Sequence, residues 1–170
     1  MTMQYDVKTA LIHGSGLMVK GRCRMKQGTI IVNVTAGNID FFDSITAPVS
    51  ATYGRTGNVV TITSTAHGLG NGVKIGIGYS ALANVSPVSG NYVITVTGND
   101  TFTVTDLNSG NIANTAVCNY TNTDGNWIMG LNTLTGVQPF QLLIPGEGVL
   151  CQGGIYTLSN NIVSTQITYG

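Results

Sequence analysis

The side chains of this 170-residue chain that could act as acids, bases, nucleophiles or metal ligands are few and scattered. His13 and His67 are the two imidazoles, and Glu147 is the only glutamate. Catalysis by an imidazole base needs a nucleophile and an orienting group beside it, and glycoside hydrolysis needs two carboxylates. The spacing brings no such partners together. The sequence therefore predicts a protein that is not an enzyme, with no catalytic residues, no metal site and no bound cofactor.

The other residues that could take part in chemistry are predicted to have structural roles. His67 stands at the corner between two predicted strands, where an imidazole that bonds to the backbone is the expected arrangement. The glycine-rich segments 68–72 and 76–78 lack the Lys-Ser/Thr of a phosphate-binding loop and precede no helix, so we interpret them as turns and close-packed strand positions. Cys23, Cys118 and Cys151 fit neither a disulfide framework nor a zinc spacing, and predict buried, reduced thiols.

Positive charge is concentrated in one predicted strand at residues 17–26. Four of the seven Lys and Arg residues alternate along it and form what we call the basic stripe: Lys20, Arg22, Arg24 and Lys26. The stripe has three interpretations: a solvated strand face, a docking face for an acidic partner, or a nucleic-acid site. The last is disfavoured because no aromatic residues interleave with the charges and the net charge is zero. Glu147, between two glycines, is a candidate partner for the stripe in its own chain or a neighbour's.

The elements that carry these residues are predicted to be β-strands throughout. Short runs with period-two alternation, such as residues 101–105, are separated by turns rich in Gly, Asn and Asp. No window combines helical periodicity with good caps. Charged residues make up only 8% of the chain, and Thr, Asn and Gly supply the polarity instead. The sequence therefore predicts an all-β protein.

The sequence pattern of the middle of the chain differs from that of its two ends. Residues 47–123 contain about six short, evenly spaced strands, which predicts an inserted small β-barrel or sandwich module. Residues 1–46 and 124–170 predict a discontinuous base domain, a small β-sandwich or barrel. An insertion at an exposed loop is thermodynamically mild because the entropy of loop closure grows only logarithmically with length.

The composition of the chain limits the kinds of partner that it is expected to bind. A near-zero net charge favours association over isolated solubility, so we expect a homo-oligomer joined by the N-terminal and C-terminal strands. Because basic and acidic residues are equal in number, we expect no nucleic-acid partner. No apolar run is long enough for a membrane span, and we expect neither a membrane partner nor a signal peptide.

Motifs in the middle segment resemble a β module that recurs as an insertion in bacteriophage virion proteins. These motifs are Thr61-Ile62-Thr63, Ala66-His67-Gly68-Leu69, Ser89-Gly90-Asn91-Tyr92 and Thr101-Phe102-Thr103-Val104. The flanks, among them Gly21-Arg22-Cys23-Arg24-Met25-Lys26 and Leu143-Ile144-Pro145-Gly146-Glu147-Gly148, are similar to a small structural protein of tailed phages. One departure is that Val73 replaces the Asp that usually follows Gly72, so that turn must be hydrogen-bonded differently.

The resemblance implies a capsid decoration or cement protein of a virion, made in the host cytoplasm. It implies a base that docks on the major capsid protein, a symmetric oligomer such as a trimer, and a module that projects outward. The basic stripe and Glu147 are then the candidate partner-binding residues. The alternative is a tail- or fibre-associated adhesion protein that binds host carbohydrate through Tyr53, Tyr79, Tyr92 and Asn91, although Tyr92 also fits the core of the module.

Overall fold

A computed structural model describes residues 7–32, 37–80, 86–122, 125–132 and 139–170, and these parts contain sixteen β-strands and no helix. The all-β prediction is confirmed. No helix in this part of the chain has the length and hydropathy needed to cross a membrane. The chain divides into a base unit, Met1–Ala47 with Gly130–Gly170, and a module unit, Pro48–Met129. The sequence placed these boundaries after residues 46 and 123.

The strands follow one another with short connections. The first four are β1 (Lys8–Ile12), β2 (Gly16–Lys20), β3 (Cys23–Val32) and β4 (Asn38–Asp43). The next eight are β5 (Val49–Thr56), β6 (Val59–Thr63), β7 (Lys74–Tyr79), β8 (Gly90–Val93), β9 (Thr95–Val96), β10 (Thr101–Thr105), β11 (Ile112–Tyr120) and β12 (Asn126–Asn132). The last four are β13 (Phe140–Leu143), β14 (Val149–Cys151), β15 (Gly154–Asn160) and β16 (Ile162–Tyr169).

Two sheets build the base unit. One has the order β1-β16-β3-β13, with β14 also paired to β3, and the other has the order β12-β4-β15-β2. Alternation gives each sheet a buried row, because successive side chains point to opposite faces. In the first sheet this row includes Met25, Ile30 and Ile167, and in the second it includes Phe41 and Ile155, all fully buried. The two rows supply the core of the base unit.

The predicted single strand at residues 17–26 is wrong. β2 ends at Lys20 and pairs with β15 in one sheet, whereas β3 begins at Cys23 and pairs with strands of the other. Gly21 and Arg22 form the bend between them. Gly21 has a φ of +96°, which glycine adopts without strain, and its N–H donates to Gly153 O at 2.8 Å. The basic stripe is therefore broken in the middle by a change of sheet.

The module unit forms a nearly closed barrel. Its sheet has the order β8-β7-β11-β5-β6-β10-β9, and the two edge strands, β8 and β9, are separated in the sequence only by Ile94. The chain thus passes from one edge of the sheet to the other at a single buried residue. Large side chains fill the interior, among them Tyr53, Phe102 and Tyr120. A small barrel filled by its own side chains is a packed core and not a channel.

Contacts around Gly76 explain why the module unit extends beyond residue 123. A Cβ on Gly76 would lie 2.1 Å from Trp127 N, so the two backbones touch. The Thr121 hydroxyl accepts from Gly76 N at 2.8 Å and donates to Gly125 O at 2.7 Å. The Asn91 amide donates to Trp127 O at 3.0 Å and accepts from Trp127 N at 2.8 Å. These bonds tie the start of β12 to the barrel.

Candidate functional site

The base unit carries a cationic pocket at the bend between β2 and β3. The pocket has a volume of about 350 Å³, and its lining includes Lys8, Lys20, Arg22, Cys23 and Gly170. Lys8 reaches it because β1 pairs with β16, which places Lys8 opposite Tyr169. The three cationic residues are exposed. Three cations around one concave surface form a place where an anionic group would be attracted.

The structure divides the basic stripe between two places. Lys20 and Arg22 line the pocket, where Lys8 joins them, whereas Arg24 and Lys26 lie half-buried along β3. Arg24 exchanges backbone hydrogen bonds with Gly170, from Arg24 N to Gly170 O at 2.8 Å and from Gly170 N to Arg24 O at 3.1 Å. Lys8 belongs to this cluster although its position in the sequence gave no sign of it.

Glu147 lies exposed in the turn between β13 and β14. The flanking Gly148 has a φ of +82° and packs so closely on β3 that a Cβ there would lie 2.3 Å from Met25 O. Glu147 is thereby held one residue from the backbone of β3. Within the described parts of the chain it makes no ion pair, so a partner for Glu147 in a neighbouring chain stays a prediction.

The charges of the base unit are unequally exposed. Asp43 is buried, and its carboxylate accepts from the backbone N–H groups of Gln152 and Gly153 at 2.8 Å each and of Gly154 at 3.2 Å. Asp40 is buried as well. Among the described residues, the base unit therefore has three exposed and two half-buried Lys and Arg residues and a single exposed acidic side chain, that of Glu147. In the part of the base unit that the structure describes, cations therefore outnumber exposed acidic side chains.

The module unit shows no such excess. Its exposed charges in the described residues are Lys74 and Asp100, which balance. Its other described charges, Arg55 and Asp106, form a buried ion pair with an Nη1–Oδ2 distance of 2.6 Å. Sequence reasoning missed this pair because Arg55 and Asp106 are 51 positions apart in the sequence. Arg55 lies in β5, which extends to Thr56, and the turn that follows is confined to Gly57 and Asn58.

The residues proposed for carbohydrate binding do not form an exposed platform. Tyr53 and Tyr79 are buried in the barrel, with ring centroids 4.9 Å apart in an edge-to-face arrangement. Tyr92 is half-buried, and its hydroxyl donates to Val88 O. Burial raises the pKa of Tyr53 and of Tyr92 to about 12. Asn91 uses its amide on Trp127, as described above.

His67 has the structural role expected from the sequence. Its Nδ1 accepts from Leu69 N at 3.0 Å, so Nε2 carries the proton and donates to Gly98 O at 3.1 Å. Both ring nitrogens are thus used by the backbone. No group of three or more His, Cys, Asp or Glu side chains comes together as a metal site in the described residues.

All three cysteines are buried and free, as predicted. Cys118 lies in the barrel core, where burial raises the pKa of its thiol to about 12. Cys23 and Cys151 lie directly opposite each other in the pairing of β3 with β14. The sequence did not indicate that these two thiols meet, because 127 residues separate them along the chain.

No protein-family model matches the sequence, and no curated protein sequence matches it. Among solved structures, the phage phi92 endosialidase is similar, with a TM-score of 0.36 and 19% identity over 81% of this chain and 20% of that chain. The matched part therefore spans about a fifth of the endosialidase. A similarity of this size carries no argument about the activity or partners of the present chain.

Proposed function

We propose that this chain is a non-enzymatic structural protein of a tailed-bacteriophage virion that decorates or cements the capsid. The base unit would bind an acidic surface of the major capsid protein, and the module unit would project outward. The observation that carries the proposal is the unequal exposure of charge among the described residues: three exposed and two half-buried cations against one exposed acidic side chain in the base unit, and one exposed charge of each sign in the module unit. The motifs shared with phage virion proteins supply the biological setting.

The cationic pocket is the proposed point of attachment. Arg22 presents a planar guanidinium that can hold a carboxylate with two parallel hydrogen bonds, and Lys8 and Lys20 add positive charge around it. Such pairs contribute little while exposed to water but far more when a bound surface excludes it. A protein that binds only the assembled lattice stabilises the shell by mass action.

The proposal includes self-association through the five-stranded sheet. Of the two terminal strands expected at the interface, only β1 is an edge, because β16 lies between β1 and β3. The edge strands β1 and β13 expose Leu11 and Leu143, whose exposed fractions are 61% and 72%. Edge strands also present unpaired backbone groups that a second copy can satisfy. A symmetric oligomer such as a trimer would place several cationic pockets on one face, so that weak contacts add.

The test is binding to purified capsids by cosedimentation, with Arg22→Ala and Arg24→Ala compared with the parent protein. Lys74→Ala is the matched control, because it removes an exposed cation from the module unit. We expect each arginine variant to weaken binding by about tenfold or more, and the control to leave it unchanged. If all three variants bind like the parent, the basic residues are a solvated face and the docking proposal is wrong.

A count of copies in the purified virion separates the capsid from the tail. Decoration of a shell needs on the order of hundreds of copies, whereas a tail position gives about a dozen or fewer. The low count would favour the adhesion alternative. The burial of Tyr53 and Tyr79 removes two of the three tyrosines suggested for that alternative and leaves Tyr92, which is half-buried, and Asn91.

A further inference from the structure

Cys23 and Cys151 have the backbone geometry of a disulfide pair. They are directly opposed in the antiparallel pairing of β3 with β14. Arg24 directs both its N–H and its C=O to Gly170, so its neighbour Cys23 directs its own backbone groups to the opposite side, toward β14. Directly opposed residues of an antiparallel pair have Cα atoms about 4.5–5.5 Å apart, within the range found in disulfides.

The two thiols differ in access. Cys23 lines the cationic pocket, whereas Cys151 is fully buried behind it. Cys23 retains 6% exposure and Cys151 none, so Cys23 is the thiol nearer to an external reagent. Lys8, Lys20 and Arg22 around the pocket would attract a reagent that carries negative charge.

We propose that Cys23 and Cys151 are a redox-active dithiol, oxidised to an intrachain disulfide by an anionic small-molecule disulfide that enters the cationic pocket. The Cys23 thiolate attacks one sulfur of the reagent R–S–S–R, a Cys23–S–S–R bond forms, and RS⁻ leaves. The Cys151 thiolate then attacks the Cys23 sulfur, forms the Cys23–Cys151 bond and expels the second RS⁻. The protein loses two electrons and two protons, and the reagent becomes two molecules of RSH.

Burial makes the pair slow to react. It raises the pKa of the Cys23 thiol, and it raises that of Cys151 to about 12, so both are protonated at neutral pH. The reduced form described here is therefore persistent. Once formed, the bond would join the two sequence segments of the base unit and close a loop that contains the entire module unit. By the chain-entropy relation, closure of so long a loop raises the melting temperature by on the order of 10 °C.

The experiment treats the full-length folded protein with oxidised glutathione, an anionic disulfide, at mildly alkaline pH. Free thiols are counted with time, the linkage is mapped by mass spectrometry, and the melting temperature is measured before and after. We expect a loss of two of the three thiols, a Cys23–Cys151 linkage and a higher melting temperature. Cys118 is the internal control, since it lies fully buried in the other unit and should stay reduced.

Two substitutions test the order of the steps. Cys151→Ser should stop the reaction at a glutathione adduct on Cys23, and Cys23→Ser should leave the remaining thiols unreacted. The proposal is overturned if the folded parent keeps all three thiols, if Cys118 enters the linkage, or if Cys23→Ser reacts as fast as the parent.

A variant with fewer positive charges tests whether the reagent enters through the cationic pocket. Lys20→Gln combined with Arg22→Gln should slow oxidation by glutathione disulfide but not by uncharged hydroxyethyl disulfide. Equal rates of the parent and this variant with both reagents would refute entry through the cationic pocket. None of these outcomes depends on capsid binding, so the inference can fail or succeed separately from the proposed function.

Discussion

Asp106→Asn would remove the counter-charge of a buried cation while keeping the size of the side chain. Arg55 and Asp106 are both fully buried, and the distance between Arg55 Nη1 and Asp106 Oδ2 is 2.6 Å. Removal of one partner from a buried pair leaves the other charge uncompensated, which costs about 3–5 kcal/mol. We expect Asp106→Asn to lower the free energy of unfolding of the module unit by that amount.

The neighbouring hydrogen bonds show that charge, and not geometry, causes this loss. Asp106 Oδ1 accepts from Val88 N at 3.1 Å and from Leu107 N at 2.9 Å, and an asparagine oxygen can accept both. Arg55→Met combined with Asp106→Asn removes the stranded charge and takes the Arg55 donor from Gly110 O. The double variant should therefore lose about 1–2 kcal/mol, less than Asp106→Asn alone.

Urea unfolding followed by tryptophan fluorescence measures these losses, because Trp127 is the only tryptophan and lies in the module unit. A loss of 3–5 kcal/mol moves the midpoint by on the order of 2 M urea. Asp100→Asn, at an exposed carboxylate of the same unit, is the control and should change stability by less than about 0.5 kcal/mol. The reasoning is refuted if Asp106→Asn loses under about 1 kcal/mol, or if the double variant loses as much as the single one.

Three further predictions concern the barrel. Gly76→Ala should destabilise the module unit by about 1–3 kcal/mol in the same urea assay, because a Cβ there meets Trp127 N, while Gly70→Ala, which meets only a side chain at 3.5 Å, should be neutral. Burial raises the pKa of Tyr53 and Tyr92 from 10.0 to about 12. The contribution of these rings to stability is therefore complete below pH 10 and is lost as the pH rises through 12. An alkaline titration followed by tyrosinate absorbance should show the two rings ionising only as the fold is lost. The module unit expressed alone should unfold cooperatively with dispersed amide resonances, and a shorter fragment that ends at residue 122 should be less stable because it lacks Trp127.

Much of the fold could be predicted from local patterns. Phe102 and Val104 alternate with threonines in β10, and both are buried, as the apolar side chains of a strand with one buried face should be. The last strand, β16, lies inside the five-stranded sheet, between β1 and β3. Alternation is informative here because the side chains of a strand point to two faces, and only one of them meets a core.

The change of sheet at Gly21 could not be predicted in this way. Val19 is buried in β2, and Cys23 and Met25 are buried in β3, so the alternation continues across the bend without a change of phase. Alternation reports which side chains are buried and not which sheet buries them. The two cysteines and the pocket depend on long-range pairings, β3 with β14 and β1 with β16, that local spacing does not contain.

The origin of the cationic surface lies in how the two units neutralise buried carboxylates. In the module unit, Asp106 is buried together with Arg55, which leaves Lys74 and Asp100 as the exposed charges of the described residues. In the base unit, Asp43 is satisfied by three backbone N–H groups, which hold a carboxylate without using a cation. Its cations are therefore left outside. The zero net charge of the sequence is thus compatible with an excess of exposed cations among the described residues of the base unit, to which the backbone hydrogen bonds of Asp43 contribute. This excess makes the base unit the better candidate for binding an acidic partner.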